Sequence, residues 1–169
     1  ASDMISRRRF LGASALLLGG TVLTPFAGHA NKRSGITDTL KVALIGSGSR
    51  GTGAALNALR ADENVELVAI ADVFRDMVER SYNHLTGFEQ LSSRVNVPEQ
   101  NKLVGLDAYK DAIDLADVVI LATPPAFRPL HFETAVNAGK HVFMEKPLST
   151  DAPGGRRIFA AGKKAESKG

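Results

Sequence analysis

The 169-residue sequence contains no cysteine, which excludes disulfides, a thiolate nucleophile and any cysteine-ligated metal. No metal site is expected. It also lacks an uninterrupted apolar run of the roughly 20 residues that a membrane-spanning helix needs. Charge of one sign is scarce as well. The formal net charge is +3, and Arg7, Arg8 and Arg9 against Asp3 supply +2 of it within the first 30 residues. The rest of the chain is close to neutral, so a nucleic-acid partner has little support. What remains, 44% hydrophobic and 23% charged, is the balance of an ordinary globular chain. The length allows one domain with a full core and not two large ones.

The basic N-terminus has its own logic. Three arginines precede Phe10-Leu11-Gly12-Ala13-Ser14-Ala15-Leu16-Leu17-Leu18, and Pro25 and Gly28-His29-Ala30 follow. A charged segment, an apolar segment and a small-residue cleavage pattern make a secretory signal peptide over residues 1–30. An N-terminal membrane anchor is the alternative, and the short, glycine-diluted apolar segment argues against it. Ser6-Arg7-Arg8-Arg9-Phe10-Leu11 resembles the twin-arginine export signal of bacteria, which implies a periplasmic or otherwise exported protein, carried folded. Residues 31–39 are polar and read as a linker, and the domain proper is expected over residues 40–169.

That domain opens on Lys41-Val42-Ala43-Leu44-Ile45, then Gly46-Ser47-Gly48-Ser49-Arg50-Gly51, then an alanine-rich helical segment. A G-x-G-x-x-G turn between a strand and a helix is the dinucleotide-binding arrangement. Gly46 permits the tight turn, Gly48 lets backbone approach a pyrophosphate, and Gly51 lets helix and strand pack closely. The helix N-terminus offers N–H groups to the phosphates. The alternative is a tight turn with no ligand, and on this segment nucleotide binding is the favoured reading. Asp72 stands 21 residues after Gly51 at the end of the next apolar run, where an acid accepts hydrogen bonds from the adenosine ribose. The alternative for Asp72 is to cap the following helix. Its carboxylate would repel a 2′-phosphate, which favours NAD over NADP, while nearby Arg75 leaves NADP open.

Strands are predicted at 40–45, 65–71, 102–106, 116–122 and 141–144, and helices from Gly51, over 74–85, from Asp107 as N-cap to about Asp114, over 130–138, and from near Asp151. Residues 86–101 show no periodicity and are expected to run as a connection over the surface. The alternation predicts an α/β fold, a doubly wound parallel sheet in three αβα layers. Ligands in such sheets bind outside the carboxyl ends of the strands. Those ends carry Gly46–Gly51, Asp72, Thr123-Pro124-Pro125 and Glu145-Lys146-Pro147.

Glu145-Lys146-Pro147 after a strand, Ala122-Thr123-Pro124 one unit earlier and His131 between them resemble the glucose–fructose oxidoreductase / inositol dehydrogenase (Gfo/Idh/MocA) family. The resemblance implies a Rossmann domain joined to an α/β substrate domain, and NAD(P)-dependent oxidation of sugars, inositols and related polyols. It implies that Gly46, Gly48 and Gly51 line the pyrophosphate, with Ser47, Ser49 and Arg50 of the same turn also cofactor-binding, and that Asp72 meets the adenosine ribose. Thr123 and Pro124 would border the nicotinamide half, with Glu145, Lys146 and Pro147 beside the ring and a cis peptide before Pro147. Lys146 is the catalytic candidate, an ammonium that orients the reacting hydroxyl and stabilises alkoxide character. His131 is open between a ligand contact and a solvent-facing helix position. The family's acid/base partner from the second domain has no counterpart here, so the chain is expected to be the front part of a larger enzyme. Whether that enzyme forms a homo-oligomer through its second domain is left open. An NAD-dependent glycosidase of similar architecture and a non-catalytic dinucleotide-binding module are the competing functions.

Overall fold

Five strands and six α-helices alternate along the chain in the computed structural model, which describes residues 39–168. The export signal and nearly all of the linker therefore lie outside the described residues. β1 (Leu40–Ile45), β2 (Val65–Asp72), β3 (Lys102–Val104), β4 (Val118–Leu121) and β5 (His141–Met144) form one sheet in the order β3-β2-β1-β4-β5. Every pairing is parallel. The chain moves outward from β1 through β2 to β3, then returns to lay β4 and β5 on the other side. The reversal lies between β1 and β4, at the carboxyl end that the glycine turn occupies.

Burial on both faces explains the unbroken apolar sequences of the central strands. Val42 and Leu44 of β1 face one way, into a core with Ala55 and Leu59 of α1 (Ser49–Ala61) and Val78 and Leu85 of α2 (Arg75–Thr86). Ala43 and Ile45 face the other way, against Ala112 and Ile113 of α4 (Ala108–Leu115) and Ala135 of α5 (Arg128–Asn137). This is the alternation of a strand with two covered faces. The last helix, α6 (Ala152–Glu166), packs on α5. Its N-cap is Asp151, whose carboxylate accepts from Gly154 N at 2.7 Å.

β2 carries an irregularity that bears on the site. Val42 pairs with Leu67 but Ala43 pairs with Ala69, so Val68 is an extra residue. Val68 and Ala69 consequently enter the same core, Ile70 returns to the core of α1 and α2, and Ala71 to the other. A bulge resets which side each later residue faces. Asp72 thereby takes the parity of Ile70 and emerges on the side of α1.

Residues 86–101 depart from the sequence expectation. They form a short helix, α3 (Glu89–Ser92), and a 3₁₀ turn (Glu99–Asn101), and they bury Leu91, Val95 and Val97 instead of crossing the surface. Leu67 N donates to Arg94 O at 2.9 Å, and Asn101 Nδ2 donates to Val68 O at 2.8 Å. The segment braces the bulge of β2. Its three apolar anchors follow neither a 3.6 nor a 2.0 period, and the polar background hides them. Asp107 also differs. It precedes α4, but its side chain caps no backbone N–H and instead pairs with Lys110 at 2.7 Å.

Candidate functional site

Steric room fixes the glycine turn. Gly46 has φ +90°, and a Cβ there would sit 2.5 Å from Thr123 N. A Cβ on Gly51 would sit 1.9 Å from the Gly46 carbonyl oxygen and 3.0 Å from Ala122 Cβ. Both positions therefore require glycine for helix, turn and β4 to meet. Gly48 is different: the nearest atom is Met77 Cε at 3.8 Å, so its backbone stays approachable. α1 begins at Ser49, two residues before the predicted start, with no side-chain cap and no acid in its first turn. Ser49, Arg50 and Gly51 thus form the first turn itself, whose N–H groups lack intrahelical acceptors and suit an anion.

Asp72 ties β2 to that turn. One carboxylate oxygen accepts from Ser47 N at 2.7 Å and Ser47 Oγ at 3.1 Å, and the other accepts from Phe74 N at 3.2 Å. Asp72 does not cap α2, whose N-cap is Phe74 and carries no side-chain cap; its contact to Phe74 N is a local turn ahead of that helix. Ser47 is buried, and its carbonyl lies 3.1 Å from Thr52 Oγ1, which in turn meets Ser81 Oγ at 2.8 Å.

At the ends of β4 and β5 the organising side chain is Arg128. It is 5% exposed. Its Nε donates to Thr123 O at 2.6 Å, and one terminal nitrogen donates to Glu145 O at 2.6 Å and to Pro147 O. Burial lowers its pKa, and the charge of Glu145 opposes that shift. The Glu145 carboxylate is buried too and meets Arg50 Nε at 2.8 Å, joining the first turn of α1 to the end of β5. Lys146 is exposed, and the peptide from Lys146 to Pro147 is cis.

The carboxyl ends of β1, β2, β3 and β4 border a cleft of about 600 Å³, a size usual for cofactor sites. Gly46, Gly48, Asp72, Thr123 and Pro124 line it. Ser47 and Ser49 border a neighbouring depression of about 260 Å³, together with Gly48 and Met77. Arg50, Gly51, Glu145, Lys146 and Pro147 lie outside both linings. Tyr109, Phe127, Arg128 and His131 also line the cleft, as do Phe74 and Leu106. Arg128 precedes the helix expected from residue 130, and the structure extends that helix back to Arg128, where a cation in the first turn opposes the dipole and needs another reason to be there.

His131 is buried, which removes the solvent-facing reading. Its ring stacks on Tyr109 at 4.1 Å between centroids, and Nδ1 lies 3.3 Å from Thr123 Oγ1. Burial lowers its pKa to about 4, so the imidazole is neutral at pH 7. The unfolded chain, with a pKa of about 6.5, binds this proton first. Stability is therefore present above pH 6.5 and is lost as pH falls toward 4. Between pH 7 and pH 5 the unfolding free energy should fall by about 2 kcal/mol more in the wild type than in His131→Gln. Denaturant titrations at the two pH values check this, and equal pH slopes would contradict it.

Residues 40–168 match the family model GFO_IDH_MocA, an oxidoreductase family with an NAD-binding Rossmann fold. The chain belongs to the Gfo/Idh/MocA family. It is 31% identical over 123 residues to an inositol 2-dehydrogenase of Cereibacter sphaeroides (strain ATCC 17029 / ATH 2.4.9), covering 73% of this chain and 33% of that protein. It is 30% identical over 165 residues to a glycosyl hydrolase family 109 protein of Shewanella sp. (strain W3-18-1), covering 86% and 34%. Among solved structures, the WlbA dehydrogenase of Chromobactrium violaceum in complex with NADH and UDP-GlcNAcA superposes with TM-score 0.56 at 27% identity, covering 78% and 34%. The chain thus spans about a third of the length of these Gfo/Idh/MocA relatives. The cofactor class of the fold is NAD or NADP. Among the described residues, no group of three or more His, Cys, Asp or Glu is placed to hold a metal, and no helix is long and apolar enough to cross a membrane.

Proposed function

We propose that this chain is the cofactor domain of an exported NAD(P)-dependent oxidoreductase that moves hydride between a sugar or polyol hydroxyl and nicotinamide. One observation carries the reading: the glycine turn, Asp72, Thr123-Pro124 and Glu145-Lys146-Pro147 stand at the carboxyl ends of adjacent parallel strands, at the reversal of strand order. The residues fit a dinucleotide. The uncapped first turn of α1 and the open Gly48 suit the pyrophosphate. Asp72 suits the adenosine ribose, and Phe74 and Leu106, both largely exposed at the cleft, suit the adenine face. With the pyrophosphate at β1 and one ribose at β2, Thr123 and Pro124 at the end of β4 and Glu145, Lys146 and Pro147 at the end of β5 would be left to hold the nicotinamide half.

Bound nicotinamide supplies the hydride acceptor. Lys146 supplies a cation at the end of β5 that orients the substrate hydroxyl and stabilises its alkoxide character. Asp72 favours NAD. Arg75, the residue that leaves NADP open, lies 3.4 Å from Glu99 in an exposed pair, which holds it weakly. The Ser6–Leu11 pattern supports export by the twin-arginine route. The glycosyl hydrolase names among the relatives favour a second reading, an NAD-dependent glycosidase that uses the same cofactor domain.

Purified full-length enzyme separates these readings. Polyol oxidation should accumulate NADH, whereas glycoside cleavage without net NADH formation would establish the glycosidase. In either case Lys146→Ala should lower kcat by at least about 100-fold, the scale of a lost electrostatic stabiliser, with NAD affinity changed less than about threefold. Unchanged turnover would remove Lys146 from the chemistry.

A further inference from the structure

We propose that Arg128 is a positioning residue that fastens the ends of β4 and β5 into the wall for the nicotinamide half of the cofactor, and so places Lys146. The inference rests on the dinucleotide reading above. Three observations lead to it. First, one planar side chain holds carbonyls from two strand ends: Thr123 O after β4, and Glu145 O and Pro147 O after β5. The last two belong to the residues on either side of Lys146, so the backbone of the catalytic candidate is held from both directions.

Second, this arrangement is costly unless it has a purpose. A guanidinium that is 5% exposed gives up hydration, and it sits at the positive end of α5, where a cation is disfavoured. Burial already pulls its pKa down. The carboxylate acting on it, Glu145, is hydrogen-bonded to Arg50 instead. If the need were merely to fill space, an apolar side chain would serve at less cost. A fork that spans three fixed carbonyls has no apolar substitute, and a lysine, with one rotating ammonium, cannot reproduce it.

Third, Arg128 borders the cleft, whereas Glu145, Lys146 and Pro147 do not. It links the β5 end to the cleft wall, beside the Arg50–Glu145 contact that ties the same end to α1. Loss of the fork should therefore disturb the nicotinamide half and leave the adenosine and pyrophosphate half, built by β1, β2 and α1, largely intact.

The test compares NAD⁺ with ADP-ribose, which keeps the adenosine and pyrophosphate and lacks the nicotinamide ring. In calorimetric titrations, Arg128→Lys should weaken NAD⁺ by about tenfold, the scale of a lost hydrogen bond to a charged group. ADP-ribose affinity should stay within about twofold. Equal loss for both ligands, or no loss for either, overturns the proposal. If the wild type binds neither ligand, the dinucleotide reading itself fails. Wild-type binding that the substitution leaves untouched removes Arg128 alone. Should Arg128→Lys not fold, arginine-labelled wild type tests the same point by NMR. The Arg128 Nε–H signal should exchange slowly and shift with NAD⁺ but not with ADP-ribose. Fast exchange, or the same shift with both ligands, overturns the proposal.

Discussion

Gly51→Ala is expected to abolish measurable NAD binding and to lower the melting temperature by about 10 °C. The added methyl would stand 1.9 Å from the Gly46 carbonyl oxygen, a backbone atom that cannot rotate away, and 3.0 Å from Ala122 Cβ. Relief requires α1 to move off the turn and off β4. Overpacking of this kind costs about 3 kcal/mol when backbone is the obstacle. The functional loss should exceed the stability loss. The same shift carries the first-turn N–H groups of α1 away from Gly48 and separates Arg50 from Glu145, now 2.8 Å apart. Thermal denaturation and calorimetric titration of one purified variant check both parts. Gly53→Ala is the control, since a Cβ there meets nothing within 4 Å, and it should bind NAD as the wild type does. A Gly51→Ala protein with wild-type affinity would show that the turn is not the phosphate seat.

Asp72→Ala should reduce NAD affinity by about 100-fold and erase discrimination against NADP. The carboxylate holds Ser47 N at 2.7 Å in the free chain and faces the cleft from the end of β2. Hydrogen bonds to a charged acceptor contribute about 1.5–3 kcal/mol each, so losing the ribose acceptor and the anchor of the turn together reaches that size. Asp72→Asn separates the two causes. It keeps an oxygen to accept from Ser47 and removes the charge that repels a 2′-phosphate. NAD binding should fall less than in the alanine variant, while NADP binding improves over wild type. Parallel titrations of both cofactors provide the check, and unchanged NAD-to-NADP ratios in both variants would contradict the role of Asp72.

Much of this fold was legible because the physics was local. Val42–Ile45, Val119–Leu121 and the run from Leu67 to Ala71 are apolar on both faces, which only a covered strand tolerates; Gly46, Asp72 and Thr123-Pro124 mark where these runs stop. Asp72 stood out from its spacing after Gly51 together with its place at the end of an apolar run. The bulge at Val68 was not, although it decides on which side Asp72 emerges, because a bulge adds a residue without altering composition. The brace from Leu91 to Asn101 was hidden for a related reason: its contacts are to carbonyls and strand edges, which no periodicity encodes. In the candidate site, the glycine turn and Asp72, proposed to meet a ligand through backbone and carboxylate, were readable as motifs. Arg128, Tyr109 and His131 were not assigned to the cleft, since their roles depend on which strand ends and helix turns the topology brings together. His131 shows the limit well. Its place in the sequence suits a helix surface, and stacking on Tyr109 buries it.

Whether these strand ends seat a dinucleotide is tested most directly by titration of NAD⁺ into the purified chain. Saturable one-to-one binding at micromolar concentrations, tighter than NADP⁺ and lost in Gly51→Ala, is the predicted result. Absence of binding by both NAD⁺ and NADP⁺ to a folded protein would contradict it.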